Sequence, residues 1–516
     1  MSRSMTACLL GITCLLLAIS LSAPSVRAAG RSESPPKSVQ QDAQIPRHPS
    51  QLEFTPIEFA PPVAADHRHQ LANGVVVFLV EDHSLPLVNV QLLVRTGAYL
   101  EPADKAGLAA LTGSQMRAGG TTSMTATEFD EEAAFLAAQF GVYIGGTQGG
   151  ANLNCLSKDL DACLDLYFDM LRYPAFQEDR LELAKSQALQ GMQRRNDSTS
   201  SIEGREWGRL LRGTEHFSTR SSTETSINSI TRADLVAFHQ EHFQPGNFLF
   251  AVSGDVTEDE ILNSLEERIE GWTVDSTPVP EVPAPDFTPQ PGLYLVDKAD
   301  VNQGRVSMGH LGSMRDNPDR YALAVMNDLL GGGGFTSRLM TRVRSDEGLA
   351  YSVGSGFGMG LYYPGIFRAS FQSGSPTVAR AVAIILTEIE RMRAEQVSQQ
   401  ELDDSKASFT ETFTRRFSSA AAVAGLFAGD EFTGRDPDYW ATYRERISAV
   451  TADDVLRVAQ EYLHPDRLVI LAVGNVEDML RGDPDNPEYV LEHLSPSGLV
   501  VRIPLPDPMT MVYPPQ

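Results

Sequence analysis

Short apolar runs of strand length alternate along this chain with longer stretches in which apolar residues recur every three or four positions. Residues 74–80 and 87–94 read as buried strands rich in valine and leucine. Helical spacing follows over about 105–117 and 127–140, then a strand region over 142–156. Residues 160–171 carry a regular helical pattern that starts behind Asp159 and stops at Tyr173-Pro174. Further helical stretches cover 177–195, 201–211 and 232–242, and a strand over 248–253 closes this half.

Six prolines (Pro278, Pro280, Pro283, Pro285, Pro289 and Pro291) then fall among short polar residues, which predicts a stiff extended linker. Beyond it the pattern begins again. The run from Thr231 to Gly254-Asp255 aligns without a gap with the run from Thr451 to Gly474-Asn475, at a constant offset of 220. Leu79-Val80-Glu81 echoes Leu295-Val296-Asp297 at an offset of 216. Two copies of one ancestral unit account for this, and the unit is too long for a solenoid repeat. Each copy predicts an α+β domain, a mostly antiparallel sheet with helices packed on one side. The layout is a first domain over 67–274, a linker over 275–291, a second domain over 292–484 and a proline-rich tail over 485–516.

Composition adds three constraints. Arg3, an apolar core over 7–21 and Val26-Arg27-Ala28 predict a secretory signal peptide over 1–29, hence a periplasmic mature protein with a flexible polar arm over 30–66. No later stretch is long and apolar enough to span a membrane. With 42 Lys+Arg against 67 Asp+Glu the net charge is −25, which repels phosphate backbones and excludes nucleic acid as a partner. Cys155 and Cys163, the cysteines of the mature chain, are too few for a disulfide scaffold; a bridge between them and two buried thiols are equal expectations.

The densest candidate chemistry lies in LLGGGGFTSRLMTRVRSDEGLAY, residues 329–351. It reads as a helix end, a glycine loop over Gly331 to Gly334, a second short helix and the start of a strand. Phe335, Leu339 and Val343 are spaced to share one apolar face, with Arg344 at the helix end and Tyr351 at the strand start. A guanidinium and a phenol delivered to one place can polarise a carbonyl and hold an oxyanion. On these residues alone, a helix-capping arginine and a strand-filling tyrosine are an equal alternative.

This stretch resembles the second-half signature of the pitrilysin/insulinase family of zinc peptidases, carried here by Ser337-Arg338-Leu339, Arg344 and Tyr351. The resemblance runs from about His67 to Asp478 and includes the repeat and the linker. It implies two halves closing as a clam shell around an unfolded peptide. It also implies Arg344 and Tyr351 as catalytic residues on the substrate backbone, with Gly333, Gly334 and Ser337 binding substrate.

Active members carry an inverted zinc motif, H-x-x-E-H, on the first helix of the first half, and a downstream glutamate as third ligand. The framing residues Asn73-Gly74, Pro86-Leu87-Val88 and Gly107-Leu108-Ala109 are present, but Ala110, Gly113 and Ser114 stand where the motif's two histidines and glutamate belong. The downstream helix offers the neutral Gln187 and Gln190. His239 and His242 share a helix face but lack the motif's spacing, and their repeat partners are Ala459 and Tyr462. The resemblance therefore implies no metal or other cofactor in this chain and a zinc-bearing homologous subunit as its partner. The alternative expectation is a non-catalytic scaffold or peptide-binding protein of the cell envelope.

Overall fold

Every position of the strands Phe248–Gly254 and Val469–Gly474 is buried, which demands cover on both faces and puts each at the centre of a sheet. The computed structural model describes residue 48 and residues 51–52, 59–272 and 278–515. The expected signal peptide, most of the expected arm and the start of the linker lie outside the described residues. Phe59–Gln516 form one compact unit.

The first half contributes β1 (Arg68–Gln70), β2 (Val76–Glu81), β3 (Leu87–Val94), β4 (Gln139–Ile144), β5 (Gly149–Leu156) and β6 (Phe248–Gly254), in the order β1-β2-β6-β3-β5-β4. The second contributes β7 (Gly292–Asp297), β8 (Gln303–Leu311), β10 (Ala350–Phe357), β12 (Ile366–Gly374), β13 (Val469–Gly474) and β14 (Val500–Ile503), in the order β10-β12-β8-β13-β7-β14. A small parallel pair, β9 (Ser313–Met314) and β11 (Met359–Gly360), lies outside both sheets. The order β2-β6-β3-β5-β4 is the same as β7-β13-β8-β12-β10, so the repeat in sequence is a repeat in topology. Within each repeated set of five strands one pair is parallel, β2 with β6 and β13 with β7, while β6-β3-β5-β4 and β13-β8-β12-β10 pair antiparallel. The repeated helices Arg232–His242 and Ala452–Tyr462 both start at a capping box, Thr231 with Asp234 and Thr451 with Asp454.

The sixth strand differs between halves. In the first sheet it is the N-terminal β1, antiparallel to β2; in the second it is β14 from the C-terminal tail, parallel to β7. Residues at the end of the expected arm are likewise docked: the Phe59 ring lies 6.1 Å from Phe413 and 5.7 Å from Phe417, and Arg444 donates to its carbonyl.

Most helices pack on one face of each sheet, as in Leu160–Arg172, whose apolar stripe buries Leu164, Tyr167 and Leu171. The other face of each sheet receives a helix from the opposite half. Thr199–Arg212 sets Ile202, Trp207 and Leu211 against Tyr294, Val296, Val469 and Leu471 of the second sheet. Ala420–Thr433 reciprocates, its Val423, Phe427 and Ala428 joining Phe78, Leu249 and Ala251 of the first. On the same crossing helix as Ile202, Trp207 and Leu211, Glu203 is 2% exposed. It accepts from Arg305 Nε at 3.0 Å and from Arg368 and Ser307, all on strands of the second sheet.

One buried imidazole makes acid stability testable. His310 on β8 is 4% exposed; its Nδ1 donates to the Leu311 carbonyl at 2.7 Å and its Nε2 accepts the His464 amide at 3.1 Å. Burial first, then the nearby His464 and Arg467, push its pKa down to about 4, against a partial offset from the Leu311 carbonyl and Asp466. A base depressed in the folded state contributes stability that is full above its unfolded value of 6.5 and is lost as pH falls from there towards 4. Unfolding free energy measured against pH should lose about 3 kcal/mol in that window relative to a His310→Gln variant. Parallel curves for the two proteins would rule this out.

Candidate functional site

The helix Arg320–Asn327 does not end at the glycines. It widens into a π-helical turn, Asp328–Gly332, so Gly331 and Gly332 are helical and only Gly333 and Gly334 form the expected loop. Gly331 is required by proximity: a Cβ there would stand 2.5 Å from the Ser355 amide nitrogen. Gly334 has φ +62°, the left-handed region. A 3-10 turn, Gly334–Thr336, and a second π-helical segment, Met340–Asp346, complete the lead-in to β10. Two π segments in one short stretch are unusual, and such bulges concentrate at functional sites.

This winding corrects the expected apolar face. Leu339 and Val343 are fully buried, but Phe335, on the 3-10 turn, is 72% exposed. The register of β10 against β12 also shifts between Ala350 and Val353, a bulge that leaves both Tyr351 and Ser352 on the surface. Tyr351 is 85% exposed. The Arg344 guanidinium carbon lies over both rings, 4.7 Å from the Phe335 centroid and 4.9 Å from that of Tyr351. Its faces are stacked, and among the described residues its N–H groups meet no carboxylate. Its neighbours differ: Arg338 holds Glu401, Arg342 holds Asp346, and Arg380 holds Glu347. Although burial works the other way, hydrogen bonds from Arg338 and Ser398 bring the Glu401 carboxyl down to about 2. In so acidic a chain, an arginine with stacked faces and unpaired edges is a donor set ready for an oxygen from outside.

The remaining residues of the expected substrate site have inward duties. Ser337 is 1% exposed and donates to the Gly334 carbonyl at 2.8 Å. The Gly333 amide donates to the Asp328 carbonyl at 2.8 Å, and its own carbonyl accepts from Thr336. These contacts shape the loop. Phe335, assigned by its spacing to the core, is the member that sequence reasoning missed.

The expected zinc positions sit on two helices packed together, Leu108–Ala118 and Glu178–Gln193. Ala110, Ser114, Gln187 and Gln190 are exposed, and the Ser114 hydroxyl is spent on the Leu111 carbonyl at 3.0 Å. A methyl, a hydrogen, a used hydroxyl and two amides do not fit zinc, which takes thiolate, imidazole or carboxylate donors. Among the described residues no group of three or more His, Cys, Asp or Glu is placed to hold a metal. Gly113 adds a steric bar: a Cβ there would stand 2.7 Å from the Ile144 nitrogen and 2.9 Å from the Tyr143 carbonyl carbon of β4. The combined Ala110→His, Gly113→Glu, Ser114→His variant should therefore bind no stoichiometric zinc and lose roughly 1–3 kcal/mol of stability through overpacking. Metal analysis and urea unfolding test both halves of that statement; one tightly held zinc per chain would refute it. His239 and His242 are packing residues: His239 Nε2 donates to the Leu171 carbonyl at 2.7 Å, and the His242 ring lies 4.5 Å from Phe238. Cys155 and Cys163 are free and buried.

Fold and site together define a two-repeat α+β shell of metallopeptidase type whose metal positions carry no ligands. Residues 76–204 match the family described as Insulinase (Peptidase family M16), and residues 229–409 match Peptidase M16 inactive domain. The chain belongs to this M16, or pitrilysin/insulinase, family, as a catalytically inactive member. It is 22% identical to an uncharacterized zinc protease of Rickettsia felis over 402 residues, 76% of this chain and 93% of that protein. It is 26% identical to the non-peptidase homolog YmxG of Helicobacter pylori over 347 residues, 66% of this chain and 78% of the other. Among solved structures, a peptidase M16 inactive domain from Pseudomonas fluorescens superposes with a TM-score of 0.70 at 25% identity, over 79% of this chain and 97% of that one.

Proposed function

We propose that this chain is the non-zinc subunit of a two-chain peptidase of the cell envelope, lending Arg344 and Tyr351 to a zinc-bearing homologous partner that cleaves unfolded peptides. The observation that supports it is the stacked Arg344 guanidinium with unpaired edges beside the exposed Tyr351. In this reading Arg344 donates to a peptide carbonyl and the Tyr351 hydroxyl to the oxygen that gains charge as water adds. The shape supports peptide as the ligand, since β4 and β10 are edge strands able to pair with an extended chain.

The test is to purify the chain from its envelope with whatever accompanies it, and to assay it alone and mixed with a zinc-bearing homologue. Alone it should hold well under one zinc and cleave nothing; mixed, it should raise the partner's cleavage of unfolded peptides. A second reading, a scaffold that binds peptides without chemistry, rests on the same free strand edges. It is favoured if peptides bind the isolated chain while the mixture cleaves no faster than the partner alone.

A further inference from the structure

Three arginines converge on one cavity that the peptidase reading does not use. The cavity, of about 470 Å³, lies where the end of the crossing helix Thr199–Arg212 meets the proline-rich connection between the halves. That volume is in the range of small-molecule sites. Arg209, Arg212 and Arg220 line it together with Tyr99, Phe217 and Phe287.

The cavity is built rather than incidental. The connection forms its roof and is fastened at two carbonyls, Pro280 accepting from the Tyr99 hydroxyl at 3.0 Å and Pro283 from His216 Nε2 at 3.0 Å. Phe287 closes over Gly213, where a Cβ would stand 2.9 Å from its ring. Tyr99 and Phe217 lie 5.9 Å apart and supply an aromatic wall.

The arginines are poorly neutralised from within. The Arg220 side chain has no hydrogen bond or ion pair among the described residues, and its charge acts at longer range on the Glu101 carboxyl. Arg212 has one long hydrogen bond, 3.5 Å to Ser218, and its Nε is buried with no partner. Arg209 is 4.0 Å from Glu206, a carboxylate already held by Arg205 at 2.7 Å and by the Tyr513 hydroxyl. Glu215 and Asp286 also line the cavity, both exposed. In a chain with 25 more acidic than basic residues, three arginines facing two exposed carboxylates leave this lining net positive, which favours an anion from outside.

We propose that this cavity binds a small organic anion, a carboxylate or phosphate on a flat apolar body, with the charged group at Arg212 and Arg220 and the body against Tyr99 and Phe217. Guanidinium matches such oxygens with paired charge-assisted hydrogen bonds, and the rings cover the rest. The site is independent of the Arg344–Tyr351 pair.

Calorimetry and thermal shift on the full chain test this with phenyl phosphate, benzoate, inorganic phosphate and uncharged benzyl alcohol. Phenyl phosphate or benzoate should bind saturably at millimolar concentration or below and raise the melting temperature; benzyl alcohol should do neither. Arg220→Gln, which removes a charge near Glu101 but no hydrogen bond or ion pair, should weaken binding about tenfold or more at unchanged fold, and Arg212→Gln likewise. The proposal is overturned if neither aromatic anion binds, or if both variants bind as the wild type does. Inorganic phosphate binding as tightly as phenyl phosphate would overturn the aromatic part.

Discussion

Replacing Arg344 by alanine is expected to lower kcat/KM of the reconstituted two-chain peptidase by roughly 10²- to 10³-fold, the usual loss when one preorganised donor to a developing oxyanion is removed. Tyr351→Phe should cost a comparable factor, because it deletes the O–H and leaves the ring that stacks on Arg344. Phe335→Ala should cost far less, about 0.5–1 kcal/mol, since it removes one exposed stacking face and no donor. The order of effects matters as much as their size. A purely structural pair would lose most with the ring and least with the hydroxyl. Steady-state kinetics on unfolded peptides, with partner concentration fixed, separates the two; full activity in both Arg344→Ala and Tyr351→Phe would leave only the scaffold reading standing.

Glu203→Ala should be the most destabilising single change at the junction of the halves. The carboxylate is nearly dry, while its partners Arg305 and Arg368 keep side-chain exposures of 33% and 34%. Breaking a buried pair from one side costs about 3–5 kcal/mol, and water reaching the two guanidinium groups should bring this loss to the lower end. Arg368 also donates to Ser307 at 2.7 Å, so the network has a second tie. Urea unfolding of Glu203→Ala, Arg368→Ala and the double variant measures the coupling. A loss under about 1 kcal/mol would mean that the exchanged apolar helices hold the halves together without the ionic cluster.

Local signals carried well. The strand Leu87–Val94 and the helix Arg232–His242 stand at the boundaries read from sequence, because apolar period and a threonine cap act within a few residues. The helix expected over 127–140 instead stops at Phe135. Ala137 turns left-handed at φ 52°, and Gln139–Ile144 becomes the edge strand β4, held by antiparallel pairing with β5 that outweighs the helical spacing of its residues. The tail reads as polar and proline-rich, yet Val500–Ile503 is a strand, because β7 offered an unpaired edge.

What the sequence determined by itself is therefore the duplicated unit and most of its elements, spelled in residue type and spacing; the absent zinc ligands and the candidate Arg344–Tyr351 pair were legible in it only through the family resemblance. Only the tertiary structure decided that each half covers the other's sheet with a helix, since Thr199–Arg212 is amphipathic and Ala420–Thr433 is a run of small apolar residues, and nothing local names the surface either buries. It also decided that Phe335 turns outward to clamp Arg344 and that Gly113 is pressed against β4. Helical wheels assume 3.6 residues per turn, and a 3-10 turn followed by the extended Ser337 breaks that count between Phe335 and Leu339; close backbone approach is a property of two elements, which no single stretch of chain encodes.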